Sequence, residues 1–135
     1  MTNDKAQMTN EIQNPNDQKK QKIYDLEERT AKFGEDVIDF LKNLPRNEIN
    51  RSLISQVVRS STSIGANYME ADAAESKKDF SHKIGICKKE AKETRHWFRM
   101  IAKANSNKAD ECRKLWREAN ELTLIFSSIR QSSKK

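Results

Sequence analysis

Turn-forming residues are scarce in this chain, with three Gly and two Pro among 135 residues. A β fold built on tight turns needs far more, so the composition excludes one and favours long helices. Cysteine is scarce as well. Cys87 and Cys112 are too few for a disulfide framework and lack the spacing of a metal site; they read as reduced, half-buried thiols. No stretch comes near the roughly 18 consecutive apolar residues of a membrane span. The start, Met1-Thr-Asn-Asp-Lys5, has no apolar run behind a basic cluster, as an export signal would. A cytoplasmic protein without membrane contact is expected.

What is present is charge. Charged residues make up 34% and apolar ones 35%, which suits amphipathic helices with wet outer faces. The length fits one domain, large enough for one core without disulfides or a structural metal. Residues 1–22 are rich in Asn, Gln, Lys and Asp around Pro15. Their isolated apolar residues cannot offset the entropy of ordering, so a flexible tail is expected there.

From residue 23 the pattern becomes periodic. Ile23, Leu26, Thr30, Phe33, Val37, Phe40 and Leu44 recur at spacings of three and four, one stripe of a helix. Pro45 stops it, and Asn47 is placed to cap helix two. There Leu53, Val57, Ser60, Ile64, Asn67 and Ala71 repeat the rule, beside a second stripe of Ile54, Val58, Ser61, Gly65 and Tyr68. Helix three opens on a capping box, Ser76 with Asp79, and carries Phe80, Ile84, Cys87, Ala91, Thr94, Phe98 and Ile101. Asn107 with Asp110 is expected to cap helix four, whose stripe is Cys112, Leu115, Ala119, Leu122, Phe126 and Ile129. Short links force sequential helices to lie antiparallel as neighbours. The expected fold is all-α, an antiparallel up-down-up-down four-helix bundle over residues 23–131, followed by a short basic tail, 132–135.

The charge is uneven. Residues 77–103 hold nine cations against three carboxylates, a surplus equal to the whole chain's +6. Helix one tends the other way, with Glu27, Glu28, Glu35, Asp36 and Asp39 against Arg29, Lys32 and Lys42. In helix three, Lys88, Lys92, Arg95 and Arg99 form a ridge at spacings of four, three and four, flanked by Lys89 and Lys103. Such a line of cations can follow a phosphate backbone, with Trp97 and His96 placed to stack on exposed bases. The alternative is a solvated face that serves solubility alone.

Catalytic constellations are missing. Glu93-Thr-Arg-His96 has the Glu-x-x-His spacing of di-iron bundles, but the only other histidine, His82, lies on the same helix, and one helix cannot enclose two metals. The hydroxyl run Ser60 to Ser63 sits mid-helix without a base nearby, unlike a nucleophile elbow. No enzyme, metal or cofactor is expected. Asn67 on the apolar stripe of helix two, one turn from Glu70, reads as a polar network that fixes register, or alternatively as a ligand-contacting cluster. Tyr24, Trp97, Trp116 and the second stripe of helix two offer more apolar surface than four seams need, which suits self-association.

The stretch Arg59-Ser-Ser-Thr-Ser-Ile-Gly-Ala-Asn-Tyr-Met-Glu70 resembles the signature of the small four-helix-bundle proteins encoded within intervening sequences of bacterial 23S ribosomal RNA genes. That signature has Thr-Ser-Ile, two small residues, Asn, two residues and Glu, met here by Thr62, Ser63, Ile64, Gly65, Ala66, Asn67 and Glu70. Where the family often continues Glu-Gly, this chain has Ala71. Leu26-Glu-Glu-Arg29 with Phe33, Ser76-Lys-Lys-Asp-Phe80 and Lys89-Glu-Ala-Lys-Glu93 extend the resemblance over nearly the whole periodic region. It implies a ring-like homopentamer. A related bundle is the accessory protein of reverse transcriptases in diversity-generating retroelements, so the implied partners are further copies of the chain, RNA or DNA, and a reverse transcriptase or another protein.

Overall fold

The computed structural model describes residues 25–133, which form four α-helices and no strand. Helix α1 spans Leu26–Leu41, α2 Glu48–Asp72, α3 Lys77–Ala104 and α4 Ala109–Ser133. The links 42–47, 73–76 and 105–108 are only six, four and four residues long, so the helices alternate up and down. Helix α3 packs along both α2 and α4, whereas α1 lies on α2 and only grazes α4. The expected tail over residues 1–22, together with Ile23 and Tyr24, lies outside the described residues. The C-terminal helix runs past the expected tail boundary to Ser133, whose Oγ donates to the Arg130 carbonyl at 2.9 Å.

The helix starts follow local chemistry. Asn47 is extended and its side chain accepts from the Asn50 amide at 2.8 Å; Ser76 does the same for Asp79 at 3.0 Å. Each satisfies an amide that the first turn leaves without an intrahelical partner. Helix α4 differs from expectation. A 3-10 turn, Ser106–Lys108, leads into it, and the Asn107 side chain is exposed while Asn105 is buried.

The interior is built from the periodic stripes. Leu26, Phe33, Val37 and Phe40 of α1 meet Val57 and Ile64 of α2, Ile84, Phe98 and Ile101 of α3, and Leu122 and Phe126 of α4. Each such side chain, when fully enclosed, is worth about 1.5–3 kcal/mol of transfer free energy. Two aromatic pairs cross the core diagonally at opposite ends, Phe40 with Phe98 at 6.2 Å and Tyr68 with Phe126 at 6.0 Å between ring centres. Gly65 lets α1 and α2 close up, since a Cβ there would stand 3.2 Å from Thr30 Oγ1.

Register is set by polar pairs inside this core. Asn50 and Asn105 exchange amide hydrogen bonds at 2.9 and 2.8 Å, and each also donates to a backbone carbonyl, Pro45 and Ile101 respectively. Near the middle, Thr94 Oγ1 donates to Ser60 Oγ at 2.9 Å, and the Cys87 thiol points at the Ile64 carbonyl. These groups are buried and would be costly if left unpaired.

Candidate nucleic-acid interface

Helix α3 has two exposed flanks beside its buried stripe. The flank toward α2 is neutralised. Arg59 of α2 pairs with Glu90 and Glu93, and Lys83 gives a 2.8 Å ion pair to Glu70. That hydrogen bond to Glu70 raises the Lys83 pKa above its usual value. Trp97 is half-buried here, and its Nε1 donates to Glu93 at 2.9 Å. His96 stands edge-on to it at 5.0 Å. The pair proposed for base stacking on sequence grounds is thus set beside two carboxylates.

The flank toward α4 carries the ridge. Lys88, Lys92 and Arg99 form no ion pair with any described residue, and Lys92 and Arg99 are exposed. Lys89 and Lys103 are exposed on the outermost face of the same helix. Arg95 is held by a neutral partner: its Nη1 donates to Asn120 Oδ1 at 2.6 Å, and its guanidinium lies 5.9 Å from the centre of the Trp116 ring. An amide orients the guanidinium without cancelling its charge, and the indole face stabilises the cation.

Helix α4 completes the surface. Arg113, Trp116 and Asn120 follow one another at helical spacing along its α3 side, with exposed Arg117 beside them. Trp116 is 37% exposed. It closes a shallow groove of about 190 Å³ whose floor is Phe98, Ala102 and Cys112 and whose rim is Arg99 and Arg113. Arg113 has a 3.0 Å ion pair with Asp110, a carboxylate 92% exposed, so the neutralisation there is weak. At the other end of the row the Arg130 guanidinium lies across Gly85, where a Cβ would stand 2.7 Å from Cζ. Its Nε is buried without a hydrogen-bond partner among the described residues.

Two carboxylates of α4, Glu118 and Glu121, are drawn elsewhere. Arg29 of α1 makes two 2.8 Å hydrogen bonds to Glu118 and a 3.0 Å ion pair to Glu121. The hydrogen bonds to Glu118 outweigh partial burial and raise the Arg29 pKa. Sequence reasoning found the α3 ridge but missed Arg113, Arg117 and Asn120, and read Trp116 only as an association anchor. The available signal was the spacing of Arg113, Trp116 and Asn120, which repeats that of the ridge on an antiparallel neighbour.

Asn67 and Glu70 are not joined. Asn67 is half-buried and donates to the Ser63 carbonyl of its own helix at 2.8 Å, while Glu70 is exposed and takes Lys83. The buried amide network is Asn50–Asn105 instead. A further groove, of about 590 Å³, lies between α1 and α2. Small residues (Ala31, Gly34, Gly65, Ala66) line it beside Ile38 and Met69, which are 41% and 58% exposed. Among the described residues no helix is long and apolar enough to cross a membrane.

Comparison with known proteins agrees with this architecture. Residues 20–128 match the family described as 23S rRNA-intervening sequence protein. Among solved structures, a protein of unknown function from the S23 ribosomal protein family of Bacteroides thetaiotaomicron is 27% identical, with a TM-score of 0.69. The match covers 77% of this chain and 96% of that one. No curated protein matches the chain. The chain belongs to the 23S rRNA-intervening sequence protein family.

Proposed function

We propose that the protein is a cytoplasmic, non-enzymatic, homo-oligomeric accessory protein that binds the backbone of RNA or DNA through the face shared by α3 and α4. The observation that carries this reading is the partition of charge. Glu90 and Glu93 are engaged by Arg59, and Glu118 and Glu121 by Arg29, so the cations between them keep their positive potential. The non-enzymatic part is supported by the thiols. Burial pushes Cys87 up to about 12 and Cys112 up to about 11, which keeps both protonated and unreactive at neutral pH. Self-association is supported by the exposed Ile38 and Met69 beside the small-residue groove. Several copies in a ring would combine weak faces into avid attachment.

The test is an anisotropy titration of mixed-sequence single-stranded RNA and DNA across a salt series. Four phosphate contacts give a slope of about −3 in log affinity against log salt, or roughly fifty-fold between about 50 and 200 mM. Absence of binding at low salt would overturn the reading. The same groove favours the second reading, a protein-interaction scaffold with no nucleic-acid role, for example a partner of a reverse transcriptase. Capture of such a partner by a protein that binds no nucleic acid would select it.

A further inference from the structure

The two tryptophans stand in opposite electrostatic surroundings. Trp97 is bound to Glu93, and Arg59 is already committed to that carboxylate. A phosphate brought to this ring would face two carboxylates, Glu90 and Glu93. Trp116 has guanidinium groups around it instead, with Arg95 at 5.9 Å and, on the rim of its groove, Arg99 and Arg113, the last paired with the exposed Asp110. More than a third of the residue is left to solvent. An indole exposed among arginines offers a π surface and phosphate-binding groups within a few ångströms of each other.

That combination selects among nucleic acids. Phosphates are common to all of them, but base faces are enclosed in a duplex and available only in unpaired strands. Along α3 the ridge from Lys88 to Arg99 covers eleven helical steps, about 16 Å, and Trp116 sits at its Arg95–Arg99 end. Asn120 tethers Arg95 without neutralising it, so the guanidinium is oriented before any ligand arrives. Preorganised groups lose less entropy on binding.

We propose that the α3–α4 seam takes single-stranded nucleic acid, with Trp116 stacking on an unpaired base while Lys88, Lys92, Arg95 and Arg99 hold the flanking phosphates. This rests on the nucleic-acid reading above and adds the strandedness of the ligand and the group that reads it.

The experiment compares a base-bearing single strand with an abasic strand of the same length and charge, by anisotropy at low salt. The base-bearing strand binds about 5- to 150-fold more tightly, the range of one base–aromatic stack. Trp116→Leu closes that gap, and Trp116→Phe keeps part of it. In the Trp97→Phe variant, Trp116 is the sole indole of a chain with two Trp. Its fluorescence is then quenched by the base-bearing strand, and by neither the abasic strand nor a duplex. The wild-type comparison needs no substitution, so a poorly folded variant does not blunt the test. Equal affinity for the two strands overturns the stacking assignment and leaves phosphate binding standing. Failure of every strand to bind removes the nucleic-acid reading as well.

Discussion

The two flanks of α3 are made of similar residues and have opposite character. Toward α2, Lys83 meets Glu70, Glu90 and Glu93 meet Arg59, and Trp97 is hydrogen-bonded to a carboxylate. Toward α4, Arg95 meets only an amide and an indole, while Lys88, Lys92 and Arg99 have no carboxylate among the described residues. On α3, a cation's pairing is therefore decided by the facing helix and not by α3 itself. The paired flank links α2 to α3 through ion pairs, and the cations of the other flank have no carboxylate partner among the described residues.

The largest effect that would break this comparison is on binding. Changing Lys88, Lys92, Arg95 and Arg99 together to Gln should weaken single-strand affinity about 100-fold at physiological salt and flatten the salt slope by about 3. Changing Arg59 and Lys83 to Gln should alter affinity little, because their charge is already spent on Glu90, Glu93 and Glu70. Equal loss per charge from the two sets, read by the same anisotropy titration, would erase the distinction between the flanks.

The rule that pairing decides cost applies in the core too. Asn105→Leu removes one partner, and with it both hydrogen bonds of the Asn50–Asn105 exchange, and should lower unfolding free energy by about 1–3 kcal/mol, measured by urea denaturation. Replacing both asparagines by Leu should recover part of the loss, since no orphaned amide remains.

A smaller effect separates core from surface by pH. Burial raises both thiols above the ordinary 9.0, Cys87 to about 12 and Cys112 to about 11. An acid with a raised folded pKa contributes stability fully below its unfolded value and loses it as pH rises toward the folded one. Stability should thus fall as pH rises from about 9 to 10, by roughly 1 kcal/mol per thiol. Cys87→Ala with Cys112→Ala should flatten that slope in a thermal melt, whatever the change in baseline stability.

The smallest effect concerns Gly85. Ala there gains roughly 0.5–1 kcal/mol of helix propensity, and its Cβ meets only the flexible end of Arg130. The displaced guanidinium should move outward, so a slightly higher melting temperature with unchanged or tighter single-strand binding is expected.

Much of this was legible in advance. Leu26, Thr30, Phe33, Val37, Phe40 and Leu44 are all buried, and the caps at Asn47 and Ser76 form as their residue types require. Asn67 misled because it lies on the apolar stripe of α2, yet only at its edge, where the carbonyl of Ser63 on its own helix satisfies it. Asn50 carried the same signal, one turn before Leu53, while Asn105 falls in the link after α3 and on no stripe. Neither reveals its partner, because the two are 55 residues apart. Base stacking was assigned to Trp97 and only self-association to Trp116, because the charge on side chains of the neighbouring helices, which separates the two rings, is not written in the spacing.

By itself, the sequence determined where the apolar stripes run, where α2 and α3 begin, and which helix holds the cationic surplus. Those properties depend on spacing along one helix and on hydrogen bonds a few residues long. Only the tertiary structure decided which cations are neutralised, which tryptophan stands among arginines and which amides pair. Those outcomes depend on groups 25 residues away for Arg95 with Asn120 and 89 for Arg29 with Glu118. Charges cancel and hydrogen bonds form only at contact distance, and contact between helices is set by how they pack.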